Sequence, residues 1–185
     1  MTINLQKGQR ISLEKEAPGL KKIIVGLGWD VNTSGGSNFD LDASCFMLKD
    51  GKLQKAIYFA DLKSPCGSVI HTGDNLTGAG EGDDEQIKVD LSKVPDNIDK
   101  LVFAVNIYQA KGRNQHFGMV NNAFVRIVDE STGKEVARYS LSESYPNMTA
   151  MVLAELYRHN SEWKMAALGV GSTANAISEL AQEYR

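Results

Sequence analysis

Short apolar runs separated by turn-forming residues recur along most of the chain and predict β-strands. We predict strands at 22–27, 41–48, 56–62, 68–72, 86–91, 101–108, 123–129, 135–141 and 163–169. Two connections have the composition of hairpin turns: an Asp-Gly pair within 49–52 and a glycine-bearing loop at 130–134. Regular short strands joined in this way predict a mainly β fold, a mostly antiparallel two-sheet β-sandwich.

Two peripheral helices are predicted toward the C-terminus, at 149–160 and 173–184. The second helix has Ser172 or Thr173 as an N-cap, and its apolar residues have the spacing of one buried face. They are Ile177, Leu180, Ala181 and Tyr184. Such a stripe is typical of a helix that covers a sheet.

The composition is that of one globular domain, which we assign to 1–185. The chain has 185 residues, of which 42% are hydrophobic and 23% charged, and no linker or internal repeat divides it. No leader-like N-terminus and no apolar stretch approaching about 18 residues is present, so we expect a cytoplasmic protein. Cys45 and Cys66 are expected to be free thiols without a redox or metal role.

Acidic residues are concentrated in one part of the chain. Between positions 30 and 85 there are ten Asp or Glu against four Lys, a net charge of −6, whereas the whole chain carries −3. Residues 74–85 alone hold five carboxylates and three glycines without Lys or Arg. Two like charges ~5 Å apart repel by roughly 3 kcal/mol at an effective dielectric near 20. Clustering these carboxylates is therefore costly unless a cation is bound to them. Oxygen ligands without His or Cys favour a hard cation, Ca²⁺ before Mg²⁺, although a solvated loop explains the composition about equally well.

The segment 74–85 does not fit an EF-hand, although Asp74 and Glu85 stand at its positions 1 and 12. Positions 3 and 5 hold Leu76 and Gly78, where that loop needs oxygen side chains, and position 6 holds Ala79 instead of glycine. The flanking segments also predict strands rather than helices. A second acidic pair precedes this loop at 39–43, where alternation in an extended chain would put Asp40 and Asp42 on one face, opposite two apolar residues.

The remaining functional alternatives have weaker support. A divalent metal held by clustered aspartates could serve a hydrolase or a phosphoryl-transfer enzyme, but no phosphate loop, His-Glu-x-x-His or Gly-x-Ser-x-Gly motif is present. The three histidines are scattered and are expected to make local hydrogen bonds. A sequence pI near 5.6 and the absence of a basic run disfavour nucleic-acid binding.

Several motifs in order resemble the TerD family, the calcium-binding tellurium-resistance and chemical-stress proteins of bacteria. The resemblance covers nearly the whole chain, and together the motifs are highly specific. They are Lys-Glu-Ala-Pro at 15–18, Val-Gly-Leu-Gly-Trp-Asp at 25–30, Phe-Asp-Leu-Asp-Ala-Ser at 39–44, His-Thr-Gly-Asp-Asn-Leu-Thr-Gly at 71–78, Gly-Asp-Asp-Glu at 82–85 and Glu-Leu-Tyr-Arg-His-Asn at 155–160.

The resemblance implies a TerD-like β-sandwich that binds one or two Ca²⁺ in acidic loops at one end and has no established catalytic activity. It implies action through other stress-resistance proteins, near the inner face of the membrane. Side-chain ligands are expected from seven carboxylates, with further oxygens from Asn75, Leu76 and the glycine loop through Gly80. The carboxylates are Asp30, Asp40, Asp42, Asp74, Asp83, Asp84 and Glu85. Ca²⁺ would neutralise this end, order the 74–85 loop and present a surface to a partner.

Overall fold

The computed structural model describes residues 1–30, 35–73 and 82–185. The strands of these residues, in chain order, are β1 (Ile3–Leu5), β2 (Arg10–Ser12), β3 (Lys22–Gly28), β4 (Leu41–Lys49), β5 (Lys52–Ile57), β6 (Val69–His71), β7 (Glu85–Asp90), β8 (Lys100–Ile107), β9 (Phe124–Asp129), β10 (Glu135–Ser140), β11 (Ala150–His159) and β12 (Glu162–Ser172). The helices are α1 (Leu13–Glu16), α2 (Ala110–Arg113) and α3 (Ile177–Gln182).

These strands form two six-stranded sheets within the described residues. The first sheet has the order β1-β10-β9-β3-β7-β6, and the second has the order β2-β12-β11-β8-β4-β5. Neighbouring strands are antiparallel except β1 and β10, which run parallel. One buried apolar cluster contains residues of both sheets, such as Val25 and Ile127 of the first and Phe103 and Leu153 of the second. The predicted, mostly antiparallel two-sheet sandwich is therefore confirmed.

The predicted helix at 149–160 is wrong, because this segment forms β11 in the middle of the second sheet. β11 pairs with β12 on one side and β8 on the other. Met151 and Leu153 face the core between the sheets, whereas Ala150 and Val152 face a second apolar cluster outside the sheet. A strand buried on both faces lacks the alternation that marks an ordinary strand, so pairing overrides its helix-like local pattern.

The second predicted helix is present but shorter. α3 begins at Ile177 and packs on the outer face of the second sheet, where Leu180 is fully buried. The Tyr184 ring lies 5.6 Å from that of Phe46, which is on β4. The helix therefore covers a sheet, as predicted. Its N-cap is Ala176 rather than Ser172 or Thr173, because β12 continues to residue 172 before the chain turns.

The two predicted hairpin turns are confirmed. β4 and β5 are joined through Asp50 and Gly51, both with positive φ as an Asp-Gly turn requires, and β9 and β10 flank the loop at 130–134. The strand predicted at 56–62 is displaced, since β5 ends at residue 57. Tyr58 and Asp61 then exchange backbone hydrogen bonds of 3.1 and 3.0 Å, which close a turn instead of extending the strand.

Arg158, within the Glu-Leu-Tyr-Arg-His-Asn motif, stabilises the connection between β7 and β8. Its guanidinium donates hydrogen bonds to the carbonyl oxygens of Ile98 (3.0 Å) and Val94 (2.8 Å). The same group lies 4.5 Å from the centre of the Trp163 ring. This motif residue therefore has a structural explanation within the fold.

The two cysteines are both free, as predicted. Cys45 is completely buried in the core between the sheets, whereas Cys66 is exposed. Among the described residues, no helix has the length and apolar character needed to cross a membrane.

Candidate metal centre

One end of the sandwich gathers the acidic residues that are distant in sequence. At this end β3 finishes beside the start of β7, with Leu27 opposite Glu85, and β4 starts beside the finish of β8, with Leu41 opposite Ile107. The antiparallel pairing of these strands is the reason that the acidic segments meet. We call this region the acidic end and define it by the six described carboxylates there. They are Asp30, Asp40, Asp42, Asp83, Asp84 and Glu85. The other expected ligands, Asp74, Asn75, Leu76 and Gly80, lie outside the described residues.

Asp30 and Asp84 line a cleft of about 350 Å³, which we call the aspartate cleft. Asp84 accepts a hydrogen bond of 2.8 Å from the backbone N–H of Trp29, and its own N–H donates to the carbonyl oxygen of Leu27 at 2.8 Å. Asp30 accepts a hydrogen bond of 2.7 Å from the side-chain amide of Asn122. The cleft is lined by Trp29, Asp30, Gly82, Asp84, Asn122, Phe124, Arg138 and Ser140.

Asp84 carries a negative charge that its surroundings disfavour. Burial raises the pKa of the Asp84 carboxyl above its ordinary value, and the charges of Asp83 and Asp30 raise it further, while the hydrogen bond from Trp29 acts in the opposite direction. Arg138, at the wall of the cleft, is held by Glu135 through hydrogen bonds of 2.9 and 2.8 Å. Its charge is thus already paired.

Asp83 stands next to Asp84 in sequence but is bound to an arginine. Arg126 donates two hydrogen bonds to its carboxylate, at 2.7 and 3.0 Å, and only 1% of the Asp83 side chain is exposed. The carboxylate lies against the β3 backbone at Gly26, where an added Cβ would come within 2.2 Å of an Asp83 oxygen. This pairing favours a structural role for Asp83, although it was expected to be a metal ligand.

Glu85 is buried between the sheets and joins them. Its Oε2 accepts a hydrogen bond of 2.7 Å from the backbone N–H of Ala43, which belongs to the second sheet. The Nε2 of His71 lies 3.3 Å from the same oxygen, within ion-pair distance although not aligned as a hydrogen bond. The Nδ1 of His71 accepts a hydrogen bond of 3.1 Å from the Gly73 N–H. His71 therefore makes local contacts, as expected.

Asp40 and Asp42 lie on the outer side of the second sheet, opposite Phe39 and Leu41. The two apolar residues belong to the core between the sheets, which confirms the predicted alternation. Asp40 is 3.8 Å from the guanidinium of Arg113. Asp42 lines a second and larger cleft under α3.

The described part of the acidic end does not converge on one point. Within residues 1–30, 35–73 and 82–185, no group of three or more His, Cys, Asp or Glu side chains is arranged to hold a metal ion. The carboxylates are instead distributed over the aspartate cleft, the outer face of the first sheet, the core and the outer face of the second sheet. A metal site here needs ligands beyond those that the structure describes.

The sequence analysis did not identify the arginines that pair with acids at this end, nor a buried asparagine. Arg126 and Arg113, which pair with acids, lie about 40 to 70 residues from their partners and carry no local signal. Asn106 was also missed, although a single polar residue within the apolar run of β8 is a detectable sign of a buried polar group.

Known proteins share the sequence and the fold of this chain. Residues 1–184 match the TerD domain family model. The chain is 51% identical over 198 residues to Stress response protein SCP2 of Bacillus subtilis, with full coverage of both chains. It is 48% identical to Tellurium resistance protein TerD of an Alcaligenes species, covering 98% of this chain and 97% of the relative. A crystal structure of a TerD homologue from Streptomyces coelicolor superposes with a TM-score of 0.70 at 22% identity, over 90% of this chain and 99% of that one, and supports the fold.

Proposed function

The chain belongs to the TerD domain family of tellurium-resistance and stress-response proteins, and from this premise we propose that it binds Ca²⁺ at its acidic end. The observation that carries the proposal is the aspartate cleft. Asp30 and Asp84 face one cleft, and the charge of Asp30 disfavours ionisation of Asp84. A cation bound between them would offset the repulsion between the two carboxylates.

The donor chemistry of the cleft fits Ca²⁺. Its potential ligands are carboxylate oxygens, the Asn122 amide oxygen and backbone carbonyls, which are the ligands of a hard cation. Among the residues that the structure describes, no cysteine or histidine lines it. Ca²⁺ takes about 6 to 8 oxygens, so two aspartates alone are insufficient. The acids within 74–81 would complete the site, and the number of acids at this end allows one or two ions.

The described acids of the acidic end have different proposed roles. Asp30 and Asp84 would hold the ion directly, and the ion would supply positive charge to this end without any further chemistry. Glu85 would hold the two sheets together behind the site through Ala43. Asp40 and Asp42 remain ligand candidates for a second ion on the outer side of the second sheet. Asp83 would position the start of β7 through Arg126.

We further propose that the ion acts as a signal that protein partners recognise. Binding of a divalent cation changes the charge of the acidic end by two units per ion, and charge complementarity is a strong determinant of partner choice. The proposed partners are other stress-resistance proteins, in the cytoplasm or at the inner face of the membrane. We propose a binding module rather than an enzyme. Metal-dependent turnover of a phosphoester that is lost in Asp84→Asn would contradict this role.

The test is calorimetric titration of chelator-stripped protein with Ca²⁺, repeated in the presence of Mg²⁺. Saturable Ca²⁺ binding is expected, and Asp30→Asn and Asp84→Asn should each weaken it at least about tenfold, the loss of one charged ligand. Asp96→Asn is the matched control, because Asp96 is exposed and follows the opposite end of β7. Absence of binding heat with folded protein, or an equal effect of Asp96→Asn, would contradict the proposal.

A further inference from the structure

A groove of about 500 Å³ lies beside the start of α3 on the outer face of the second sheet. We call it the α3 groove. Its floor is formed by Asp42 of β4 and Asn106 of β8, which stand opposite each other in the strand register. One wall of the groove is the start of α3, including Ile177 and Ser178. The aspartate cleft is lined by other residues and does not account for this groove. Asp42 is the one residue of its floor that the proposed function also uses, as a candidate ligand for a second ion.

Asn106 presents an acceptor that the fold does not use. The residue is 3% exposed, and its Oδ1 is buried without a hydrogen-bond partner among the residues that the structure describes. Leaving a buried acceptor unsatisfied costs about 1–3 kcal/mol, and most such groups in proteins are paired. An apolar side chain at this position would avoid that cost, so the amide makes this position a candidate for contact with a ligand.

Asn175, just before α3, presents a second acceptor at the wall of the groove. Its backbone N–H and its side-chain amide both donate to the carboxylate of Glu179, at 2.8 and 3.1 Å. These bonds fix the amide group, and its Oδ1 is left buried with no partner in the described part of the chain. The groove therefore holds two acceptors, the Oδ1 of Asn106 on its floor and the Oδ1 of Asn175 at the wall formed by the start of α3.

The rest of the groove is suited to an apolar, aromatic body. Tyr58 and Phe59 form an edge-to-face pair with ring centres 5.4 Å apart, and both line the groove. Phe59 and Tyr108 are each 41% exposed, unusually open for large aromatic side chains. Asp42 adds a carboxylate to the floor, whereas Arg185, which also lines the groove, is exposed to solvent.

We propose that the α3 groove binds an organic amine, a molecule with an aromatic or other apolar body and an ammonium or amidinium head. The head would donate hydrogen bonds to the acceptors of Asn106 and Asn175 beside the charge of Asp42. The body would lie against the exposed rings. An anionic head would meet Asp42 and two acceptor oxygens, and the groove would reject it.

The test uses three probes that share one indole ring and differ in the head group: tryptamine, tryptophol and indole-3-propionate. Binding is measured by calorimetry and by amide shifts of the ¹⁵N-labelled chain, with chelator present so that the result does not depend on Ca²⁺. Tryptamine should bind at one saturable site and shift the amides of Asn106, Asn175 and Ile177. Tryptophol should bind at least about tenfold more weakly, since it lacks the charge, and indole-3-propionate should not bind.

Two variants locate the site. Asn106→Leu removes the buried acceptor at similar volume, and Ser178→Trp fills the groove from the exposed surface of α3, where the core is not disturbed. Each should weaken tryptamine binding at least about tenfold while the protein stays folded. Asn4→Leu, at an exposed position of β1, and Ser178→Ala should leave binding unchanged. Equal binding of the three probes, no saturable tryptamine binding, or unchanged binding in both test variants would overturn the proposal.

Discussion

Asp83 and Asp84 are adjacent in sequence, yet the structure gives them opposite electrostatic surroundings. The side chain of Asp83 is almost completely buried and accepts two hydrogen bonds from Arg126. Asp84 faces the aspartate cleft, where burial and two neighbouring carboxylates raise its pKa. The difference shows that an acidic cluster in sequence can combine an acid that is paired within the fold with an acid whose ionisation the fold disfavours. The second kind is the one that we propose as a metal ligand.

The largest expected effect is the stabilisation of the protein by Ca²⁺. An ion that binds only the folded state at ~100 times its dissociation constant adds roughly 2.7 kcal/mol to the free energy of unfolding. Urea unfolding of the parent in Ca²⁺ and in chelator should show this difference, and Asp84→Asn should lose most of it. Identical unfolding curves for the parent in the two buffers would contradict structural coupling to Ca²⁺.

The second effect concerns the Asp83 side of the comparison. Arg126→Met should lower the free energy of unfolding by about 2 kcal/mol, because it leaves the buried Asp83 carboxylate without its charged partner and with only the hydrogen bond from the Gln86 side chain. The value is below that of a fully buried pair because Arg126 is partly exposed. Urea unfolding in chelator measures it.

A double variant controls the Arg126 prediction. Asp83→Asn/Arg126→Met should be more stable than Arg126→Met alone, since the unpaired charge is gone. If Arg126→Met costs nothing, or if the second substitution destabilises the protein further, Asp83 is not a structural acid of this kind.

A smaller effect of opposite sign is expected for Asp84. Its pKa is raised on folding, so the unfolded chain binds fewer protons near the ordinary pKa of 3.8, and stability falls as the pH rises through the folded pKa. In chelator at neutral pH, Asp84→Asn should therefore raise the free energy of unfolding, by ~0.5 kcal/mol after allowance for solvent screening. A destabilised Asp84→Asn protein in chelator would contradict this account of the cleft.

Glu135 should show the reverse pH dependence. Its pKa is lowered, first by the hydrogen bond from Arg138 and then by that from Arg126, below the ordinary value of 4.5. Its contribution is present above pH 4.5 and is lost as the pH falls through the folded pKa. Acid unfolding in chelator should begin at higher pH in Glu135→Gln than in Glu14→Gln, because Glu14 is exposed and forms no ion pair with any residue that the structure describes. If the two variants unfold at the same pH, the pairing of Glu135 with Arg138 and Arg126 does not stabilise the protein against acid.

Much of the fold could be predicted from the sequence, because most strands are half-buried and follow a local pattern. The Asp-Gly hairpin and the alternation of Phe39 with Asp40 were correct for this reason. The helix predicted for the segment that forms β11 is wrong, because a strand covered on both faces has no polar face and so lacks the alternation that predicts a strand. Long-range strand pairing, not local propensity, decides its structure.

The candidate site was predictable in location but not in detail. Acid-rich segments at 30, 40–42 and 83–85 do meet at one end of the sandwich. Which acids are already neutralised depends on Arg126 and Arg113, whose partners lie far along the chain. No local pattern distinguishes Asp83 from Asp84. That assignment required the register of β3 against β7 and β9.

The most direct measurement is a Ca²⁺ titration of Asp83→Asn and Asp84→Asn side by side, with circular dichroism to verify that both are folded. The account predicts that Asp84→Asn weakens Ca²⁺ binding at least about tenfold and that Asp83→Asn changes it less than about threefold, which is under 1 kcal/mol. Loss of binding in Asp83→Asn with normal binding in Asp84→Asn would contradict the central claim.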